Sequence, residues 1–276
     1  MDTFRAATQT GDLVGTVGGE GPPVLLLHGG PGLSDYLGPL ADELRDAYTV
    51  ATYTQRGLAP STEDGAMDVA THVADALSVA DHLGWDRPVL GGHSWGGHLT
   101  LHVIATHPER FAAALVIDPL GAVGDGAMAE FVANIEARVP VANRARIAEL
   151  EVLEEAGPLS TDLALEQLGL AWPAYFADPA TAPPMDALGI SARHDEVWQD
   201  MLAALPALAP RLSGCPVPTT FVHGARSPIP VRASTQSAAL MLDATVDVVP
   251  ECGHFLWLDA PGAVRRSLDA LLQRLS

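Results

Sequence analysis

The stretch Gly91-Gly92-His93-Ser94-Trp95-Gly96-Gly97 constrains this chain more than any other. It follows the apolar run Pro88-Val89-Leu90 and leads into a segment of helical character, about 95–106. A serine with a glycine two residues away on each side fits the G-x-S-x-G turn. There a strand folds so sharply into a helix that larger flanking side chains would collide. The turn presents the serine hydroxyl at the helix N-terminus, where the dipole favours negative charge. A glycine-rich turn with an incidental serine is the plain reading; the strand before it and the helix after it favour a nucleophile at Ser94.

The rest of the chain repeats this strand-to-helix rhythm. Val24 to Leu27, Tyr48 to Tyr53, Ala114 to Ile117, Thr219 to His223 and Thr245 to Val249 read as strands, several apolar throughout and suited to burial on both faces. Helical spacing covers 67–84, a stretch near 231–242, and the end of the chain from Pro261. Alternation of this kind predicts an α/β fold with a mostly parallel central sheet flanked by helices. Between 121 and 212 the rhythm breaks into helical stretches at 126–138, 142–155 and 194–204, joined by proline-rich turns. The expected division is a core over 1–120, a helical cap insertion over 121–212, and the second part of the core over 213–276.

Composition narrows the chemistry. A net charge of −19 opposes nucleic acid and anionic membranes and suits a neutral or cationic small-molecule substrate. All 15 basic residues are arginine, which rules out Schiff-base and P-loop chemistry built on lysine. No apolar run approaches a membrane span, no secretory signal is visible at the start, and two cysteines make no disulfide framework. Cytoplasmic residence is the expectation; oligomeric state stays open.

Two further segments carry chemistry. His28-Gly29-Gly30-Pro31-Gly32 follows the first strand, and its glycines expose bare N–H groups; Gly30 and Trp95 are the expected oxyanion donors. In Glu251-Cys252-Gly253-His254-Phe255, His254 is the candidate base. His223 competes with it, although a histidine against a glycine at a strand end is more often a packed structural one. His98 and His102 share a helix face at i, i+4 but lack a third ligand, so no metal is expected there. No cofactor is expected either.

With these motifs in place the chain resembles the α/β-hydrolase fold family over essentially its whole length. His28-Gly29-Gly30-Pro31-Gly32, Tyr53-Thr54-Gln55-Arg56-Gly57 and the elbow are most similar to the proline iminopeptidase group of serine peptidases. Thr54 stands where that group usually has Asp, and the cap lacks the group's Trp-Glu pair, since Trp172 precedes Pro173 and Trp198 precedes Gln199. The group's triad acid lies two residues beyond the His223-Gly224 pair, a slot filled here by Ser227.

An acid must then come from elsewhere. Asp118, in Val116-Ile117-Asp118-Pro119, ends the strand after the elbow helix, and parallel strands open onto one edge. Haloalkane dehalogenases and cofactor-free oxoquinoline dioxygenases place their acid at this strand end. Asp118 can also simply shape the turn into the cap. Asp247, mid-strand, and Asp195, in the cap, are weaker rivals. The expected catalytic set is Ser94, Asp118 and His254, acting on an ester, lactone or small amide. A cofactor-free oxygenase or lyase using the same residues, or a non-catalytic ligand-binding protein, are the alternatives. Glu130, Glu136, Glu149, Glu151, Glu154 and Glu155 in the cap could hold a substrate ammonium, but a solvated helix face is their commoner explanation.

Overall fold

In the computed structural model, which describes residues 1–275, the chain opens on an antiparallel hairpin, β1 (Asp2–Thr8) and β2 (Gly11–Gly18). Sequence reading does not anticipate it. Its buried apolar side chains are Phe4, Ala6, Leu13 and Val14, and interspersed Gly, Thr and Arg blur the alternation that marks a strand. The remaining strands fall where the apolar runs predict them: β3 (Pro23–Leu27), β4 (Thr49–Tyr53), β5 (Val89–His93), β6 (Ala113–Ile117), β7 (Thr219–Gly224) and β8 (Ala244–Val249). Among the described residues they form one eight-stranded sheet in the order β1-β2-β4-β3-β5-β6-β7-β8. Pairing is antiparallel as far as β4 and parallel beyond it.

Both faces of the sheet are covered. Leu25 and Leu27 of β3 join the core on one side, with α2 (Val69–His82) and α3 (Trp95–Thr106). Val24 and Leu26 join the core on the other, with α1 (Gly38–Leu44). All four β3 side chains are fully buried, each stabilising the fold by about 1.5–3 kcal/mol. Between β6 and β7 run α4 (Met128–Arg138), α5 (Val141–Glu155), α6 (Thr161–Ala171) and α7 (His194–Leu212). After β7 come α8 (Arg232–Ala238), α9 (Leu256–Asp259) and α10 (Ala263–Gln273).

The helix expected at 194–204 runs on to Leu212 through Pro206 and Pro210. Both prolines face solvent, so the carbonyls they leave without helical donors can be hydrated. Val197, Met201, Leu205, Leu208 and Leu212 form the opposite, buried stripe, and that stripe holds the helix together. Among the described residues no helix is long and apolar enough to cross a membrane.

Register brings the chemistry to one edge. His93 of β5 pairs with Ile117 of β6, and Ile117 pairs with Val222 of β7. Ser94 and Asp118 therefore leave adjacent strands side by side, with the loop after Gly224 next to them.

Candidate active site

Ser94 sits at φ 56° and ψ −120°, a conformation that bulky L-residues avoid. Its N–H donates to Ile117 O at 2.9 Å, fixing the turn to β6. The flanking glycines are a steric necessity. A Cβ on Gly92 would lie 2.1 Å from Gly96 O, and one on Gly96 would lie 2.0 Å from Leu27 O. The Ser94 hydroxyl is partly exposed and makes no hydrogen bond among the described residues.

Asp118, also in the left-handed region at φ 44°, is fully buried with its carboxylate ringed by donors. Oδ1 accepts from His254 Nδ1 at 2.9 Å and from Ser227 Oγ at 2.6 Å; Oδ2 accepts from Gly224 N–H at 2.8 Å. Burial pushes this carboxyl up, but the imidazoles of His223 and His254 and the bonds from His254 and Ser227 outweigh it. The net result is a pKa below the usual carboxylate value. Ser227 thus occupies the slot where the resemblance puts the acid, and it donates to Asp118 instead. Its Oγ also accepts from Ile229 N–H at 3.1 Å, which aims its proton at Asp118.

Because Asp118 accepts a hydrogen bond from Nδ1–H of His254, Nε2 keeps its lone pair. The loop carrying His254 is held on both sides. His254 N–H donates to Tyr175 O at 2.8 Å, and Asp259 Oδ2 accepts from Gly253 N–H at 2.7 Å and Ala177 N–H at 3.0 Å. The imidazole packs 4.4 Å from the ring of His93 and 5.4 Å from that of Tyr175. His93 Nε2–H donates to His254 O at 2.9 Å, so its Nδ1 must accept from the Tyr36 hydroxyl at 2.8 Å. Burial and the neighbouring His254 push His93 well below its usual pKa and keep it neutral.

Across from the elbow, Gly29 passes so close that a Cβ on it would lie 2.7 Å from Ser94 Cβ. Among the described residues, neither Gly30 N–H nor Trp95 N–H is taken up by a loop or cap hydrogen bond. Gly30 lines a cavity of about 610 Å³ roofed by α4, α5 and α6. Its walls include Leu33, Phe131, Ile135, Leu168, Tyr175 and Trp198. Glu136, Glu151, Glu154 and Asp195 line it too, with Arg144 and His194 as its basic residues. Glu130 and Glu149, by contrast, pair with Arg232 at 2.7 Å and Arg146 at 2.9 Å on the surface.

Among the described residues none of the rivals bonds the imidazole of His254, although His223 Nε2 lies 3.8 Å from Asp118 Oδ2. Asp247 lies mid-strand in β8, paired with Val222 of β7, and its carboxylate makes no hydrogen bond or ion pair among the described residues. Asp195 pairs with His194 at 3.2 Å. His223 donates from Nε2 to Ile229 O and shares a hydrogen bond between Nδ1 and Ser234 Oγ, both at 2.8 Å, so its ring nitrogens are occupied. His98 donates to Leu120 O, and His102 donates to His98 Nε2, each at 3.2 Å. Burial lowers these two to about 4 and about 3, so both are neutral around pH 7.

Residues 24–267 match the family model described as the alpha/beta hydrolase family. The chain belongs to that family. Among curated relatives, a proline iminopeptidase of Lactobacillus helveticus is 32% identical over 108 residues, 37% of this chain and 37% of the relative. Haloalkane dehalogenase 2 of Mycobacterium tuberculosis is 31% identical over 94 residues, 33% of each chain. The matched stretches cover only 32–40% of the first such relatives. Among solved structures, VinJ superposes with a TM-score of 0.76 at 20% identity, covering 100% of this chain and 99% of VinJ. That similarity establishes the fold: the chain shares its architecture with a protein of widely diverged sequence.

Tyr36, His93, Ser227 and Tyr175 are the site neighbours that sequence reading missed. His93 fills the variable position of the elbow motif and Ser227 the expected acid slot, so each had a signal of place. Tyr36 and Tyr175 had none, because only tertiary packing brings them to the site.

Proposed function

We propose that this hydrolase is a serine enzyme that cleaves an ester, lactone or small amide through an acyl-enzyme on Ser94. The observation that carries this reading is the 2.9 Å bond from His254 Nδ1 to buried Asp118, one strand from the elbow serine. In the proposed cycle Ser94 Oγ attacks the substrate carbonyl carbon while His254 Nε2 takes its proton. Asp118 holds the imidazole in the required tautomer and stabilises the imidazolium. The carbonyl oxygen, now anionic, accepts from Gly30 and Trp95 N–H, each donor supplying about 3 kcal/mol. His254 returns the proton to the leaving group as its bond to carbon breaks. Water then attacks the acyl-enzyme with His254 again as base, and Ser94 recovers its proton.

The largely apolar cavity suits an acyl group of moderate size, and its carboxylates oppose an anionic one. Two unpaired, buried cysteines suit a reducing cytoplasm. A fluorophosphonate probe followed by peptide mass spectrometry tests the reading. Labelling at Ser94, lost in Ser94→Ala, is expected; an unlabelled protein, or a label elsewhere, contradicts it.

A further inference from the structure

Gln55 lies in the turn after β4, 2% exposed, and no step above uses it. Its side-chain Nε2 donates to His28 O at 2.7 Å, and its Oε1 accepts from Trp95 Nε1 at 2.9 Å. An indole N–H only donates and a carbonyl only accepts, so the amide has one possible orientation. The backbone N–H of Gln55 donates to His28 Nε2 at 3.0 Å. That bond puts the ring proton on Nδ1, which lies 3.0 Å from Gly29 O and donates to it. Gly29 C=O and Gly30 N–H belong to one planar peptide, so holding the oxygen aims the N–H.

The residue making these contacts is itself fixed. Next to it, Arg56 grips Asp75 of α2 through two bonds of 2.6 Å, both side chains nearly inaccessible. Thr54 N–H donates to Val14 O at 3.0 Å, and Thr54 O accepts from Ser61 Oγ at 2.5 Å. A rigid turn from one strand therefore reaches the two segments that carry Gly30 and Trp95.

We propose that Gln55 is a positioning residue that sets the separation and direction of the Gly30 and Trp95 N–H groups as an oxyanion site, with His28 as its intermediary toward Gly30. This rests on the serine-hydrolase reading above. A donor pair displaced by about 1 Å loses about a hundredfold in rate, because its hydrogen bonds must be shortest to the charged intermediate. The uncharged substrate carbonyl depends on them less, so the loss falls on kcat more than on KM.

The test compares wild type with Gln55→Ala, Trp95→Phe and the double variant on a p-nitrophenyl ester, with Tm recorded for each. Inhibition by a trifluoromethyl ketone, whose adduct on Ser94 carries an oxyanion, is measured alongside. Gln55→Ala is expected to lower kcat by roughly 30- to 100-fold with KM within about twofold, and to weaken the ketone in parallel. The pH dependence of kcat/KM should keep its midpoint, since the bond between His254 and Asp118 is untouched. Trp95→Phe keeps the main-chain donor but loses the indole tether; it should cost less, and the double variant should fall short of the product of the two. Unchanged kcat, a loss confined to KM, or fully multiplicative effects with normal ketone affinity would overturn the proposal while leaving the serine-hydrolase reading in place. A wild type that turns over nothing and is not labelled at Ser94 removes both.

Discussion

In the proposed triad the acid is Asp118, at the end of β6, while Ser227 stands in the slot that the resemblance gives to the acid. Both side chains converge on one point: Ser227 Oγ and His254 Nδ1 each bond the same Oδ1 of Asp118. A carboxylate at 227 therefore starts within reach of the imidazole. Asp118→Asn combined with Ser227→Asp is expected to recover at least about tenfold in kcat over Asp118→Asn alone, measured on a p-nitrophenyl ester. No recovery would mean that the 227 loop cannot present an acid to His254. The sequence made this exchange legible only by an absence, the missing carboxylate after Gly224. Ser94, Gly30, Trp95 and His254 could be put forward from sequence because each sits in a short glycine-containing motif. The hydrogen bond from Ser227 to Asp118 joins residues far apart in the chain, and no local pattern encodes it.

Elements buried on both faces were the easiest to foresee, since β3, β5 and β6 are apolar at nearly every position. The hairpin β1–β2 escaped because its few buried side chains are interleaved with small and polar ones. For α7, the apolar stripe outweighed two proline breakers. On α2 and α3 the expected pattern held, yet both carry buried histidines within the protein: His72 on one, His98 and His102 on the other. Burial lowers the pKa of all three, and of His28 and His93 beside them. The unfolded chain binds protons near the ordinary value of about 6.5, which the folded chain refuses, so stability falls as pH drops below that point. Each such group steepens the fall by about 1.4 kcal/mol per pH unit until it protonates in the folded state, at about 4 for His98 and about 3 for His102. Asp118, whose folded pKa is depressed, loses its contribution only at still more acidic pH, below the ordinary carboxylate value. Urea unfolding between pH 7.5 and 5 should show this decline; a flat profile would mean that these rings ionise inside the fold.

The sheet edge and the helices between β6 and β7 are joined by apolar packing, as of Val197, Met201 and Phe131, and by a few backbone tethers. Tyr175 O receives the N–H of His254, and the Arg138 guanidinium at the end of α4 donates to Arg226 O and Phe176 O. The cavity beneath is therefore framed by the same segment that holds the imidazole. The helices over it lie between β6 and β7, where the strand rhythm of the sequence breaks, but its lining was not readable, because helix packing decides which of their many carboxylates face inward. Everything proposed for this molecule depends on a negative charge at the end of β6 serving the imidazole of His254. The direct measurement is kcat for Asp118→Asn beside Asp247→Asn, on one ester substrate with folding confirmed by circular dichroism. A fall of about four orders of magnitude for the first and a change within twofold for the second is predicted. Near-normal turnover in Asp118→Asn, or a collapse in Asp247→Asn, would contradict the account.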